Sequence, residues 1–183
     1  MQIIGKKNLW TGRYLKTSLI TYRDPAGHIR DWECVERQGS DGVVVIIPIT
    51  PEKEFILVRQ FRPVVNSFVI EFPAGLISPN EPPSDTAKRE LIEETGYYST
   101  NLEFLVEGPI SSGMSNEIIK IYIAKDIKKA DEQTLKQFPP DQSEFIEIIK
   151  VPLDIVYERL DELRTQGNLI DLKIYGMISL VLH

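Results

Sequence analysis

Four glutamates and one arginine stand at fixed intervals between Gly75 and Gly96: Glu81, Arg89, Glu90, Glu93 and Glu94. Glu90, Glu93 and Glu94 fall within five residues, and carboxylates crowded on one helix repel at a cost of a few tenths of a kcal/mol, roughly, per facing pair. A hard divalent cation removes that repulsion. Magnesium prefers a few carboxylates completed by water and substrate phosphates over a closed cage of protein ligands. The chemistry that follows is hydrolysis of a phosphoanhydride, in which metal ions bind phosphate oxygens, polarise phosphorus and lower the pKa of an attacking water. At roughly 100° per residue, Glu90 and Glu94 stack about one turn apart, which makes them the expected metal ligands. Glu93 is a third, direct or through water, and Glu81 and Arg89 orient the cluster as an internal ion pair. The competing reading is a solvated acidic helix face, which most charge runs are; the flanking glycines and Glu81 argue against it.

The helix that carries this cluster has start and stop signals. Ser84 is expected to cap it with Asp85 in its first turn. Pro82 and Pro83 hold the preceding loop extended, and Gly96 ends the helix in a left-handed conformation. Ala87 and Leu91 anchor it to a core. Upstream, residues 14–23 and 28–37 read as strands joined by the turn Asp24-Pro-Ala-Gly27. Further strands are expected at 42–50, 54–62, 68–72, 103–107, 117–125 and 144–151. The Pro- and charge-rich stretch 126–143 reads as a loop. Pro152 opens a helix over about 153–166 that Gly167 stops, and a last apolar helix begins at Asp171. Strands of mixed order around a central helix, with helices at the C-terminal end, make an α+β sandwich.

At 183 residues and 42% hydrophobic content, the chain is one domain, or one domain with an arm. Its formal charge of −6 argues against nucleic-acid partners, whose phosphates need concentrated Lys and Arg, but leaves room for a small phosphorylated ligand held through metal. The single cysteine, Cys34, excludes an internal disulfide and fits a reducing compartment; it reads as a small strand residue. No stretch approaches the roughly twenty apolar residues of a membrane span, and no signal-peptide pattern is seen, so no membrane partner and a cytoplasmic location are expected.

The run from Gly75 to Tyr97 resembles the Nudix box: Gly, five residues, Glu, seven residues, Arg-Glu, an aliphatic, any residue, Glu-Glu, any residue, Gly, aliphatic. Every charged and glycine position matches, as does Leu91; Tyr97 puts an aromatic in the last aliphatic slot. The resemblance implies a Nudix α/β/α sandwich with a mixed sheet, and a metal shell completed by the main-chain carbonyl of Ala74. The cofactor it implies is Mg2+, with Mn2+ a possible substitute.

Beyond the box, the chain is similar over nearly its full length to ADP-ribose and nucleoside-diphosphate-sugar pyrophosphatases. The similarity rests on Tyr22, Asp24, Pro25, Gly27, Trp32, Glu33 and Arg37, then Asp41-Gly-Val43, Val58-Arg-Gln-Phe-Arg-Pro-Val64, Glu71-Phe-Pro-Ala-Gly-Leu-Ile77 and Gly113-Met-Ser-Asn-Glu117. It implies an N-terminal antiparallel β arm, residues 1–40, that builds a homodimer, with or without swapping, and reaches the partner's substrate site; residues 41–183 form the catalytic domain. Trp32 and Tyr14 occupy positions that clamp a nucleobase. Trp32 also reads as a half-buried interface residue, and Trp10 competes with Tyr14. Glu33 is expected to bond a base amino group, and Arg37 and Arg62 to hold phosphates or the base through a fixed fork of donors. Gly75, Leu76 and Met114 complete the substrate-binding positions. Glu144 matches the position of the catalytic base, with a further metal ligand or a surface charge as alternatives, and Glu93 and Arg89 join it as catalytic residues. Glu147 points to the opposite strand face.

One departure bears on substrate. Ser111-Ser-Gly113 stands where many ADP-ribose-specific members carry a Ser-Pro-Gly-like turn. The expected activity is therefore cleavage of ADP-ribose or a related nucleoside diphosphate sugar to a nucleoside monophosphate and a sugar phosphate. The alternatives are a nucleotide sensor without hydrolysis, and a house-cleaning hydrolase of nucleoside triphosphates or dinucleoside polyphosphates.

Overall fold

The computed structural model describes residues 1–141 and 145–182. The arm is a three-stranded antiparallel sheet in the order β1 (Gln2–Thr11), β2 (Leu15–Arg23), β3 (Ile29–Arg37). The Asp24–Gly27 turn forms as expected: the Gly27 N–H donates to the Asp24 carbonyl at 3.0 Å, and the His28 N–H to the Asp24 carboxylate at 2.9 Å. β1 was not expected. Its apolar residues, Ile3, Ile4, Leu9 and Trp10, fall in adjacent pairs and are exposed along with nearly all the rest, so no alternation marks it as a strand. Glu36, only 6% exposed, ties the three strands together: it accepts from Lys6 of β1 at 2.7 Å and Ser18 of β2 at 2.8 Å, with Lys16 at 3.3 Å. The Lys6 bond leads the contacts that bring its pKa down to about 2.

Two mixed sheets build the body. One has the order β7 (Ala74–Leu76), β4 (Val43–Pro48), β10 (Ile118–Lys125), β9 (Asn101–Pro109); the other runs β12 (Glu147–Pro152), β5 (Glu54–Arg62), β6 (Ser67–Glu71), β13 (Leu169–Ile170). β4 is a continuous β-branched run buried on both sides, as a central strand must be. Val44 and Ile46 face α1 (Pro83–Thr95), meeting Ala87 and Leu91. Val45 and Ile47 pack with Val156, Leu160 and Leu163 of α3 (Val156–Thr165) and Ile174, Met177 and Ile178 of α4 (Lys173–Ser179). Helices therefore cover both faces, the expected α/β/α sandwich.

Three local expectations are corrected. Ser84 does not cap α1: Pro83 is its first residue, Pro82 is the cap position, and no side chain accepts there. Proline suits that place, since its fixed φ is helical and its missing N–H would lack a helical partner anyway. The stretch 126–143 is not all loop. It holds β11 (Lys128–Lys129), which pairs with β8 (Tyr97–Tyr98), and α2 (Glu132–Gln137), capped by Asp131 accepting from the Thr134 N–H at 2.8 Å. Charge there hid an ordinary cap signal. The last helix starts at Lys173, two residues later than expected, because Ile170 and the Asp171 N–H are spent pairing with β6. Gly96 ends α1 as expected, at φ +70° with its N–H on the Ile92 carbonyl. Tyr97 fills the aliphatic slot by burial beside Ala87 and Leu91.

Candidate active site

β7 is the hinge between strand and cluster. Val45 pairs with Ala74, Val44 with Gly75 and Val43 with Leu76, and the Ile46 N–H donates to the Pro73 carbonyl at 2.9 Å. The box thus enters as an extra strand of the core sheet, and a loop returns it into α1. This brings the Ala74–Gly75 backbone against the acidic face of the helix. Glu94, only 8% exposed, accepts the Ala74 N–H at 2.9 Å. A Cβ on Gly75 would lie 1.9 Å from the Glu90 carboxyl carbon, so this position is glycine because Glu90 uses the space.

Arg89 organises the rest. Its Nε donates to Glu81 at 3.1 Å, and its Nη1 to Glu90 at 2.7 Å and Glu93 at 2.8 Å. Burial opposes the guanidinium charge, but the bonds to Glu81, Glu90 and Glu93 outweigh it and push its pKa up. The same contact holds the Glu81 carboxyl below the usual range. The Arg89–Glu81 pair is the one expected; its extension to Glu90 and Glu93 was not. With those carboxylates turned to Arg89, no three acidic, histidine or cysteine side chains among the described residues gather round one point as a ready metal site. The donor set nevertheless fits a hard cation: Glu90 and Glu94 lie against one stretch of β7 backbone, with Glu93 beside them.

A cavity of about 790 Å³ opens in front of this cluster. Ala74, Gly75, Leu76, Arg89, Glu90, Glu93 and Glu94 line it, and Arg37 and Arg62 join them. Each of these two arginines is held by a glutamate through Nε, Arg37 by Glu117 at 2.8 Å and Arg62 by Glu71 at 2.6 Å. Tyr14, Trp32, Glu33 and Met114 do not line it. Tyr14 is exposed, with the Arg13 guanidinium 5.0 Å from its ring centroid. Glu33 is exposed on β3. Trp32, 50% exposed, donates its indole N–H to the Gly113 carbonyl at 2.8 Å, and the Val35 N–H reaches the Met114 carbonyl at 2.8 Å. The arm and the 113–117 segment are therefore knitted together, and they reach the cavity wall through the Arg37–Glu117 pair, while Tyr14, Trp32, Glu33 and Met114 stay off it.

Glu144 lies outside the described residues; Asp141 and Ile146, on either side of it in sequence, both line the cavity. Glu147 pairs with Arg59 at 2.9 Å. Cys34 is buried, and burial raises its thiol pKa, in keeping with a structural residue. Asp141, Asp171 and Lys173 also line the cavity and were not foreseen. Nothing local marks them, because only the pairing of β13 with β6 and the folding back of 131–141 carry them there.

The NUDIX domain matches residues 40–172. The chain belongs to the Nudix family. A mouse protein, ADP-sugar pyrophosphatase, is 37% identical over 175 residues, spanning 90% of this chain and 80% of its own. A Bacillus methanolicus protein, methanol dehydrogenase activator, is 32% identical over 161 residues, spanning 88% and 83%. A solved structure, an ADP compounds hydrolase, superposes with a TM-score of 0.71 at 22% identity, over 89% of this chain and 82% of its own; that likeness concerns the Nudix fold. No described helix is long and apolar enough to cross a membrane.

Proposed function

We propose that this Nudix protein is a pyrophosphohydrolase that cleaves the diphosphate of ADP-ribose or a related nucleoside diphosphate sugar, giving a nucleoside monophosphate and a sugar phosphate. The observation that carries the reading is the cavity itself, which sets Glu90, Glu93 and Glu94 within one space with Arg37 and Arg62. Carboxylates suit a cation and guanidinium forks suit phosphate oxygens, so a diphosphate is the ligand that uses both. The 37% identical mouse ADP-sugar pyrophosphatase supports that substrate class.

Glu90, Glu94 and the Ala74 carbonyl would hold a divalent cation, Mg2+ first and Mn2+ as substitute, with Glu93 direct or through water. When bound, the cation polarises phosphorus and lowers the pKa of the attacking water. Arg37 and Arg62 bind the diphosphate oxygens and align the bridge. Arg89, anchored by Glu81, holds Glu90 and Glu93 in place. Glu144 takes the water's proton.

Tyr14, Trp32, Glu33 and Met114 stand apart from their own chain's cavity, which favours a homodimer whose partner arm supplies the nucleobase clamp, with residues 1–40 as that arm and 41–183 as the catalytic unit. Ser111-Ser-Gly113 favours a sugar range wider than ribose, and Leu76 at the cavity wall would face it. The complete glutamate set favours turnover over sensing, and a reducing, cytoplasmic setting suits Cys34. Purified protein with ADP-ribose, ADP-glucose and related compounds should release AMP when Mg2+ or Mn2+ is added. Failure to turn over any of them, in a preparation that is folded and metal-supplied, removes this reading; preference for triphosphates in the same panel replaces it.

A further inference from the structure

Two cation–carboxylate pairs, Arg62–Glu71 and Lys173–Asp171, stand side by side at one end of the β12-β5-β6-β13 sheet. β13 runs parallel to β6 with Ile170 beside Ile70, and the Asp171 N–H donates to the Ile70 carbonyl at 3.0 Å. Asp171 and Glu71 therefore leave adjacent strands at the same level. Glu71 accepts from Arg62 at 2.6 Å; the register sets Arg62 opposite Ser67 and Glu71 opposite Val58, so the arginine reaches back along its own sheet face to make the bond. Asp171 accepts both the Lys173 backbone N–H, at 3.0 Å, and its ammonium. Both carboxylates are largely buried and both cations retain exposed surface: 15% and 14% exposure for Glu71 and Asp171, against 42% and 32% for Arg62 and Lys173. All four residues line the cavity that holds the glutamate cluster. An ammonium carries three donors, and the contact with Asp171 leaves the others for a ligand.

We propose that Lys173 is a further substrate-binding residue, acting beside Arg62 as the second arm of a two-cation clamp on the diphosphate, with Asp171 as the residue that positions it. This deepens the diphosphate reading above and rests on it. An arginine gives a flat fork and a lysine a mobile point charge, so the pair suits two phosphates presented at different angles. Because the helix start at Lys173 is fixed by strand pairing, the ammonium is placed by β13 and does not depend on the arm or on a partner chain.

The test separates binding from hydrolysis. α,β-Methylene-ADP, a nucleoside diphosphate that cannot be cleaved at the bridge, is titrated calorimetrically with Mg2+ present into wild type, Lys173→Met, Lys173→Gln and Lys173→Arg. Loss of one charge-assisted hydrogen bond should weaken binding about tenfold in Lys173→Met and Lys173→Gln, with Lys173→Arg restoring most of it. With ADP-ribose, KM should rise by a similar factor while kcat stays within about twofold, the sign of contact kept in both ground and transition states. Lys173→Gln keeps a donor to Asp171 and so guards against a mere folding defect in Lys173→Met. Unchanged binding in both variants, a fall in kcat without a rise in KM, or no binding by wild type overturns the assignment. Intact wild-type binding that depends on Lys173, with no hydrolysis of any nucleotide sugar, instead overturns the activity proposed above and leaves the clamp standing.

Discussion

Arg89 does inside this protein what a metal ion does in the proposed reaction: it gathers Glu81, Glu90 and Glu93 around one positive centre. Glu94 accepts the Ala74 N–H, so a substitution that keeps an oxygen there tests the cation site through loss of charge. Glu94→Gln retains an oxygen to accept the Ala74 N–H but loses the charge; turnover should drop about a thousandfold or more, with thermal stability within about 1 kcal/mol of wild type. Near wild-type rates would show that the metal lies elsewhere. Gly75→Ala is the complementary probe. The new methyl would overlap Glu90, the end of a flexible side chain, so the fold should survive with a similar Tm while the metal concentration for half-maximal rate rises. An unchanged metal requirement would mean that Glu90 has no fixed place to lose. The spacing of these glutamates made them legible in sequence, since a helix has one period. Lys173 and Asp171 were not, because their place depends on which strand pairs with β6.

At the scale of elements, the same contrast recurs. β4 and α1 announce themselves through β-branched continuity and through an acidic helical period closed by Gly96. β1 and α2 do not: one has no apolar alternation and is exposed along almost all its length, the other is six residues with no buried face. Ser84 misled because it is a good cap in general, whereas Pro83 takes the first helical position for a backbone reason. The arm illustrates how a largely exposed element can still be specified. Its strands are pinned by the buried Glu36 carboxylate, whose pKa falls from 4.5 to about 2 on folding. A group so depressed stabilises fully above its unfolded pKa and loses that contribution as pH falls from about 4.5 towards 2. Both tryptophans of the chain, Trp10 and Trp32, sit on the arm, so their emission should shift in that window before the far-ultraviolet signal of the body changes. Glu36→Gln should show the shifted emission already at neutral pH. Coincident loss of both signals in wild type would mean that arm and body unfold as one unit.

For the molecule as a whole, the distance of Tyr14, Trp32, Glu33 and Met114 from the cavity lining is what bears on assembly. If partner arms complete each site, Trp32→Ala and Glu94→Gln fail for reasons located on different chains. Mixed and allowed to exchange subunits, the two variants should regain activity that neither has alone, because one site of each mixed dimer then combines an intact arm with an intact cluster. No recovery, with exchange verified by tagged chains, would show that each chain serves itself. The cavity's charge has its own outcome. Among the described residues, seven carboxylates line it against four cationic side chains, so its walls are negative before any cation arrives. Cleavage would turn one diphosphate into two phosphomonoesters, each carrying nearly two charges at neutral pH with a second pKa of about 6. The walls that make entry conditional on a cation would then push the fragments outward, and the site would clear itself by repulsion.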